Sequence, residues 1–506
     1  MRRLTANATF AVAAVAIILV CTDLKSLPCN DVWWHLATAR IMAATHSIPT
    51  IEPFSWTRAG EPYFNQPWLA QLVFYALHRI GGAPLLLFGN ALAVTATAWI
   101  LCRIAWRRTN QPRLAAWGVL AIFLPLGVET WSVRPQTLTM PLFALVLSVL
   151  ADAFGFIGID EATIERGQRR LWLLPAAMLL WVNLHGSFVL CLALPVLAAI
   201  GHVAQLALSK KLPSKVSAPA AKIDPRRFAI VLGATGLASL ANPRGPSVFA
   251  YVVHLASMRA NQEINVEWAA TSVHTTSGAL FFAVFVVLLV LLFLARGRRL
   301  PTLSEAAIVL FVFWQGFATR RAIPWFGYAV MPLLVVLGSD LVRSLRKEKE
   351  ETKDPPGSLI PLVMVGVLVV VTSPWVKTRL PIGEGALLVE DGTPVTAVDK
   401  LNAEPASSRP KHLFNDIQYG CYLQFAAPEQ KVFVDTRMDF YPWEIYADYL
   451  SLARAEDVDR LVAKWSIDGM LLDKAYQAPL VKAMRADASW TVRFEDEHTL
   501  YVARAR

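Results

Sequence analysis

The stretch that decides the fold is residues 8–27, ATFAVAAVAIILVCTDLKSL, an apolar run that ends shortly before Asp31-Val32-Trp33-Trp34-His35. A helix of about 20 apolar residues is long enough to cross the hydrocarbon core of a bilayer. Similar apolar runs recur as far as residue 373. The pattern therefore predicts a chain that crosses a membrane many times. An acid and a histidine beside lipid are costly unless they have partners or a function.

The composition supports this prediction and divides the chain. Of 506 residues, 55% are hydrophobic and 17% are charged, whereas soluble domains are about 25% charged. Residues 374–506 are more polar, and in them strand patterns alternate with helix patterns, which is typical of a small α/β domain. We therefore predict a polytopic α-helical membrane domain over 1–373, a linker over 374–393 and an extracytoplasmic α/β domain over 394–506.

Hydropathy predicts about eleven transmembrane helices. Several of these runs are shorter than the roughly 20 residues that a straight crossing needs. No internal repeat is visible in the sequence. The predicted spans are 8–27, 83–102, 114–128, 137–154, 171–184, 187–208, 228–241, 278–295, 303–318, 322–340 and 358–373.

The charge distribution predicts the orientation. Residues 1–373 carry 32 Lys and Arg against 18 Asp and Glu (net +14), and residues 374–506 carry 16 against 20 (net −4). Basic residues concentrate in cytoplasmic loops, so we expect the N-terminus inside and the C-terminal domain outside. The positive charge then follows from membrane topology and does not indicate a nucleic-acid partner. The expected cytoplasmic segments hold 23 of the 32 basic residues: the N-terminus, 103–113, 155–170, 209–227, 296–302 and 341–357.

The first outer loop, residues 28–82, belongs to the membrane domain in this prediction. It is long, aromatic and punctuated by Pro49, Pro53, Pro62 and Pro67, so we expect it to be ordered rather than a linker. Residues 31–45 have helical spacing, and residues 67–80 form an amphipathic pattern typical of a helix that lies at the membrane interface.

The polar tail has clear secondary-structure patterns. They predict helices at 394–403, 443–453, 456–465 and 476–486, and strands at 411–415, 431–436, 469–473, 489–495 and 498–504.

Polar residues gather at the predicted outer ends of the spans. Carboxylates and guanidinium groups at one depth suggest a cavity that binds an anionic group and moves a proton. The candidates are Asp31, His35, Glu52, Glu129, Arg134, Asn183, His185, Asn242, Arg244, Glu263, Glu267, Arg320 and Arg321.

Each candidate has a structural alternative. Asp31 could cap the helix that begins there, and His35 could be its hydrogen-bond partner or a metal ligand. Glu52, before a proline, could be a turn residue. The arginines could anchor the chain at the interface, and Asn183 and His185 could satisfy backbone groups at a broken helix.

Cysteine usage indicates neither a disulfide framework nor a zinc site. There are five cysteines without Cys-x-x-Cys or Cys/His metal spacing. The N-terminal apolar run lacks a convincing cleavage site, so we expect an uncleaved first span.

With these residues identified, the chain resembles the GT-C superfamily of membrane glycosyltransferases, in the bacterial branch that uses polyprenyl-phosphate-linked sugars, alongside protein mannosyltransferases and aminoarabinose transferases. It is similar above all to a group of bacterial membrane proteins that share an ordered series of short motifs. As they stand here, these are Asp31-x-x-Trp34-His35-Leu36, Glu52-Pro53-Phe54-Ser55-x-Thr57, Arg134-Pro135-Gln136, Trp181-x-Asn183-x-His185-Gly186, Asn242-Pro243-x-Gly245 and Val434-Asp435-x-Arg437.

The resemblance implies roles for these residues. Asp31 would be the general base, with Glu52 as a second acid and His35 beside it. Donor phosphate would be bound by Arg134, Arg244, Arg320 and Arg321, and substrate by Asn183, His185, Glu267, Asp435 and Arg437. Some relatives use a divalent metal ion and others do not. The membrane part has no Asp-x-Asp pair, which argues against an obligatory metal, and no metal ligands are assigned.

The implied function is transfer of a sugar from a polyprenyl phosphate to an envelope glycan, lipid or protein acceptor, on the outer face of a bacterial cytoplasmic (inner) membrane. Two other hypotheses stay open at this point. The chain could be a catalytically inactive scaffold of an envelope-assembly complex. It could also be a transporter or flippase, although that reading predicts charges near mid-span and internal repeats.

Overall fold

The structure is a computed structural model that describes residues 5–208, 222–295, 300–345, 356–380 and 387–504. Lys210, Lys211 and Lys215, which contribute to the predicted charge bias, lie outside the described residues. Within the described part, seven helices are long and apolar enough to cross a membrane. The prediction of a polytopic helical membrane protein with a small C-terminal α/β domain is confirmed.

Sixteen α-helices precede the C-terminal domain in the described chain. They are α1 (Ala6–Asp23), α2 (Val32–Thr45), α3 (Trp68–Thr109), α4 (Pro112–Gly118), α5 (Leu124–Gly127), α6 (Pro135–Phe154), α7 (Glu161–Arg170), α8 (Leu173–Leu184), α9 (Leu190–Leu208), α10 (Pro225–Ala238), α11 (Ser247–Ser257), α12 (Arg259–Glu263), α13 (Thr276–Leu294), α14 (Leu303–Ala318), α15 (Ile323–Leu345) and α16 (Ile360–Thr372).

Each of the eleven predicted spans coincides with helical structure. Four of them are helices shorter than 18 residues, because α8 has 12 residues, α10 has 14, α14 has 16 and α16 has 13. The count of eleven crossings therefore stays a prediction. The predicted interfacial helix is the first part of α3, which is separated from the span by non-helical backbone at Gly81 and Gly82. Gly82 has φ +64°, a conformation that favours glycine.

Contacts divide the chain into two compact units. Unit 1 comprises residues 1–25, 87–252 and 265–380, and unit 2 comprises residues 26–86, 253–264 and 381–506. This grouping places the segment 28–82 with the C-terminal residues, whereas the predicted partition placed it in the membrane domain.

Unit 2 contains a four-stranded sheet with order β1-β2-β4-β3. β1 is parallel to β2, and β4 is antiparallel to both β2 and β3. Phe414, Tyr446, Leu472 and Val502 belong to the buried core that lies between this sheet and the helices. The elements are β1 (Leu413–Asn415), β2 (Gly469–Asp473), β3 (Trp490–Glu495), β4 (Thr499–Arg504), α17 (Val395–Ala403), α18 (Ile417–Ala426), α19 (Trp443–Ala453), α20 (Val458–Trp465) and α21 (Ala478–Ala486).

One predicted strand of the tail is wrong, and one helix was not predicted. Residues 431–436 form no strand in the described chain and make a single bridge, from Val432 to Ser55. The apolar run there consists of Val432, Phe433 and Val434, which are all buried in an irregular segment. The missed helix, α18, begins after Asp416, whose carboxylate accepts hydrogen bonds from the backbone N–H groups of Gln418 (2.8 Å) and Tyr419 (3.4 Å).

In unit 1, α15 is the central helix and is almost wholly buried. The helices α9 and α14 pack closely against each other. An alanine Cβ at Gly201 would clash with the backbone carbonyl oxygen of Leu303. Ser304 Oγ donates to the carbonyl of Ala198 at 2.8 Å. Small residues allow such close backbone approach between membrane helices.

We expect Gly201→Ala to lower the free energy of unfolding by about 1–3 kcal/mol, because α9 and α14 must separate to accept the methyl group. The matched control is Gly233→Ala in α10, where an added Cβ meets nothing within 4 Å. Thermal unfolding of both purified proteins in detergent measures the difference. Equal unfolding temperatures would contradict the packing argument.

Asp416 is a buried acid whose pKa is raised to about 6, chiefly by burial and against the lowering effect of its backbone hydrogen bonds. Tyr449 also donates to this carboxylate at 3.0 Å. The native chain therefore holds a proton that the unfolded chain releases near pH 4.

This raised pKa predicts a pH dependence of stability. As the pH rises from about 4 to about 6, Asp416 lowers the free energy of unfolding, by up to about 3 kcal/mol for a shift of two pH units. Asp416→Asn keeps the capping oxygen and removes the titration. Unfolding curves between pH 4 and 7 should therefore show a steeper loss for the wild type than for the variant. Parallel curves would exclude this titration.

Candidate functional site

The predicted site residues fall into two groups, one in each unit. Unit 2 contains Asp31, His35, Glu52, Asp435 and Arg437. Unit 1 contains Arg134, Asn183, His185, Arg244, Glu267, Arg320 and Arg321.

In unit 2, Arg437 is the centre of a buried ionic network. Its two terminal nitrogens donate to Glu52 at 2.7 and 2.9 Å. Its Nε and Nη2 donate to Asp435 at 2.9 and 2.6 Å. The Asp435 carboxylate also accepts from Tyr441 (2.7 Å) and Gln424 (2.5 Å). A bidentate guanidinium–carboxylate pair is both strong and geometrically specific.

Aromatic rings enclose the same guanidinium. The rings of Phe54, Tyr63, Phe440 and Tyr441 have their centres 4.9–5.9 Å from its central carbon. Burial alone would lower the pKa of Arg437, but the carboxylates of Asp435 and Glu52 raise it well above its ordinary value. The group is therefore permanently charged.

Both carboxylate oxygens of Glu52 accept hydrogen bonds from other groups of unit 2. Besides Arg437, it accepts from the backbone N–H groups of Phe54 (2.8 Å) and Ser55 (2.6 Å). Its side chain is fully buried. This environment combines the predicted turn role with an ion pair, and it favours a structural role for Glu52 over proton transfer.

Asp31 has different surroundings. It immediately precedes α2, yet within the described residues its side chain makes no capping hydrogen bond. Instead, the hydroxyl of Thr436 donates to Asp31 Oδ1. Thr436 Oγ1 lies 3.1 Å from the sulfur of Cys421, and because its proton is directed to Asp31, the thiol is the donor. The side chain of Asp31 is partly exposed. Thr436 therefore orients the carboxylate without burying it.

His35 is buried and pairs with an amide. Its Nδ1 lies 3.2 Å from Gln71 Nε2, and Gln71 in turn exchanges hydrogen bonds with Asn65 at 2.7 and 2.8 Å. Gln71 and Asn65 tie the first part of α3 to the preceding loop. Among the described residues, no three His, Cys, Asp or Glu side chains are grouped so that they could hold a metal ion.

Arg437→Met is expected to destabilise unit 2 strongly, because it leaves two buried carboxylates without their counter-charge. Breaking a buried pair in this way costs about 3–5 kcal/mol. The control is Arg460→Met, whose pair with Asp457 is exposed and contributes less than about 1 kcal/mol. Chemical unfolding of both full-length variants measures the contrast. Similar losses in the two variants would contradict this account.

In unit 1, four of the predicted residues come together. Arg134, at the start of α6, forms an ion pair with Glu267. Arg321 Nη2 lies 3.2 Å from His185 Nε2, and its guanidinium faces the ring of Trp268 at 5.7 Å.

Backbone pairing holds this cluster in place. The N–H of Arg321 donates to the carbonyl of Glu267 at 2.9 Å, and that of Arg320 donates to Ala269 at 3.0 Å. The N–H of Thr271 donates to Phe317 at 3.2 Å. The segment after α14 is thus paired with residues 267–271, which fixes the two arginines beside Glu267.

Asn183 and Arg244 make hydrogen bonds at neighbouring turns of unit 1. Asn183 Nδ2 donates to the carbonyls of Leu179 (2.9 Å) and Ala241 (2.8 Å), which fits the alternative of satisfying backbone at a helix end. Arg244 is exposed, and its N–H donates to Asn242 Oδ1 at 2.9 Å.

Sequence reasoning did not identify three contributors to these sites. Thr436 is the unspecified residue of the motif Val434-Asp435-x-Arg437. Ser187, whose Oγ lies 2.8 Å from His185 Nδ1, follows the motif that ends at Gly186. Gln71 lies in the predicted interfacial helix. The signal available for the first two was their position inside or beside a motif, where a hydroxyl can bond to a neighbouring polar group.

The fold is similar to solved structures of membrane glycosyltransferases. The oligosaccharyltransferase of Archaeoglobus fulgidus in the apo form matches with a TM-score of 0.58 and 12% identity, over 99% of this chain and 74% of that one. The same enzyme in complex with an inhibitory peptide and a dolichol-phosphate matches with a TM-score of 0.57 and 11% identity, over 98% and 74%. ArnT from Cupriavidus metallidurans bound to undecaprenyl phosphate matches with a TM-score of 0.53 and 15% identity, over 98% and 97%.

Comparison with sequences gives no further assignment. No protein-family model matches the chain, and no curated protein matches it. The structural likenesses show the fold: the chain is a multi-pass membrane protein with a GT-C-like fold.

Proposed function

We propose that this GT-C-like membrane protein is a glycosyltransferase that moves a sugar from a polyprenyl-phosphate donor to an envelope glycan, lipid or protein acceptor on the outer face of a bacterial cytoplasmic membrane. The observation that carries the proposal is Asp31, a partly exposed carboxylate that Thr436 orients at the start of α2. The glycosyltransferase neighbours support it through the fold.

Asp31 acts as the general base in this proposal. It takes the proton from an acceptor hydroxyl or amine while that atom attacks the anomeric carbon. The bond from the anomeric carbon to the phosphate oxygen breaks at the same time, so the phosphate leaves with the electron pair. A single displacement of this kind inverts the anomeric centre, with base and leaving group on opposite faces of the sugar.

The unit 1 cluster binds the donor phosphate. Arg134, Arg320 and Arg321 supply positive charge for the departing phosphate, whose developing charge most needs stabilisation. Arg244 is an exposed additional contact. In this proposal a phosphate competes with Glu267 for Arg134, because both are anionic partners for one guanidinium.

The residues near Asp31 have indirect roles in this proposal. Asp435 and Arg437 are buried, so we propose that they act on substrate by shaping the irregular segment that carries Thr436. Glu52 contributes through the same ion pairs, and His35 fixes α2 against α3 through Gln71. Asn183 positions the turn that presents Arg244.

We expect Asp31→Asn to lower transfer by at least about 100-fold, the lower range for loss of a general base, with normal expression and folding. Mass spectrometry of lipid-linked sugars and envelope glycans in cells that express each form measures this. One polyprenyl-phosphate sugar should accumulate and one glycan should disappear, which would name the donor.

The matched control is Asp457→Asn, a neutralised carboxylate that is exposed in unit 2. It should leave both pools unchanged. If Asp31→Asn also leaves pools and glycans unchanged at equal protein level, the transferase assignment is wrong and an inactive scaffold becomes the better hypothesis. Altered transport of a lipid-linked sugar without loss of transfer would favour a flippase.

A further inference from the structure

Gln136 carries a buried amide nitrogen that donates to no group in the part of the chain that the structure describes. The residue is 6% exposed, and its Nε2 is enclosed and has no hydrogen-bond partner among the described residues. Most buried polar groups are paired, and a buried donor left unpaired lowers stability. Gln136 also belongs to the motif Arg134-Pro135-Gln136. An unpaired donor within a motif indicates a ligand that supplies the acceptor.

The amide lies at the N-terminus of α6, a helix of 20 residues. Side chains of a helix lean toward its N-terminus. Gln136, the second residue of α6, therefore directs its amide toward the end of the helix. The first backbone N–H groups of a helix have no partner within it, and they carry partial positive charge. This end of α6 thus combines donors with positive potential, which is the combination that binds phosphate at other helix N-termini.

The cap residue adds positive charge where an acceptor is usual. Arg134 occupies the N-cap position with extended backbone, and its side chain makes no capping hydrogen bond to the described chain. Caps are usually Ser, Thr, Asp or Asn, whose oxygens accept from the first N–H groups, whereas a guanidinium has only donors. A cation beside a helix N-terminus is unfavourable unless an anion accompanies it. In this structure Glu267 supplies that anion by pairing with Arg134.

The start of α6 is held rigidly, and its ion pair is accessible. Thr137 Oγ1 donates to Asn90 Oδ1 at 2.6 Å, and Asn90 Nδ2 donates to the carbonyl of Trp131 at 2.8 Å. These buried contacts fix the first turn of α6 against α3. The side chains of Arg134 and Glu267 are 23% and 35% exposed, so an anion in solution or at a lipid headgroup can reach the guanidinium.

We propose that Gln136 Nε2 and Arg134 bind the same phosphate group, which replaces Glu267 as the anionic partner of Arg134. The inference rests on the proposed function, in which Arg134 binds the donor phosphate. It adds a neutral donor that is already in place before the ligand arrives. This donor lowers the stability of the ligand-free protein and strengthens binding, because only the bound phosphate supplies its acceptor.

The test measures binding of undecaprenyl phosphate, and separately of inorganic phosphate, to the full chain in nanodiscs. Gln136→Leu removes the donor and should weaken binding about 10-fold, as expected for a hydrogen bond to a charged group. Gln136→Glu places a carboxylate in the site and should weaken binding further. The matched control is Gln111→Leu, a partly exposed glutamine that also precedes or follows a helix-start proline without a side-chain capping bond, and it should have no effect.

Thermal unfolding of the ligand-free proteins gives a readout that separates ligand binding from a structural role. Gln136→Leu should unfold at the same temperature as the wild type or at a higher one, because it removes a buried donor that has no partner. A structural role predicts a lower unfolding temperature together with weaker binding. A lower unfolding temperature for Gln136→Leu would therefore overturn the inference.

The outcomes also separate this inference from the proposed function. If Arg134→Ala leaves the binding of both probes unchanged, the proposed phosphate site fails. If Arg134→Ala weakens binding but Gln136→Leu or Gln136→Glu binds like the wild type, the inference alone is overturned. Dependence on Gln136 for both probes supports recognition of the phosphate itself, and dependence for the lipid alone supports recognition of a lipid headgroup.

Discussion

Unit 2 depends on the burial of one guanidinium between two carboxylates. Water cannot stabilise the charge of Arg437, because aromatic rings surround the guanidinium and its side chain is only 2% exposed. Glu52 and Asp435 must therefore stay in place, and with them the backbone turn at Phe54 and Ser55. The same constraint fixes Thr436, which orients Asp31. A local electrostatic requirement thus determines the geometry of the candidate base.

The hydrophobic periodicity of the sequence was sufficient for most of the fold. Every predicted span contains a helix, and β2 has the predicted bounds. Residues 431–436 were misread because buried apolar residues in an irregular segment have the same pattern as a strand. Helix α18 was missed because its signal is the Asp416 cap rather than a periodic apolar face. The length of each helix depends on its packing against other helices. Hydropathy alone therefore predicts the number of membrane crossings less well than it predicts the positions of the helices.

The sequence predicts which residues belong to the candidate sites, but it does not predict which side chains contact each other. Motif order pointed to Asp31, Glu52, Arg437 and His185, but spacing along the chain does not reveal which side chains meet. Glu52 and Arg437 are 385 residues apart, and Arg321 and His185 are 136 apart. Only three-dimensional contacts show that Glu52 is committed to an ion pair while Asp31 is partly exposed.

The distance in sequence between Glu52 and Arg437 has a consequence for biosynthesis. Synthesis at about 5–20 residues per second means that roughly 20–80 s pass between the appearance of Glu52 and that of Arg437, which are 385 positions apart. During that interval the segment 26–86 lacks the partners that complete its fold. It carries several aromatic residues and the carboxylate of Glu52, which is buried in the folded protein. Long-range contacts of this kind form late and leave intermediates exposed to aggregation. The newly made chain therefore has a prolonged vulnerable stage, which ends only after Arg437 has been translated.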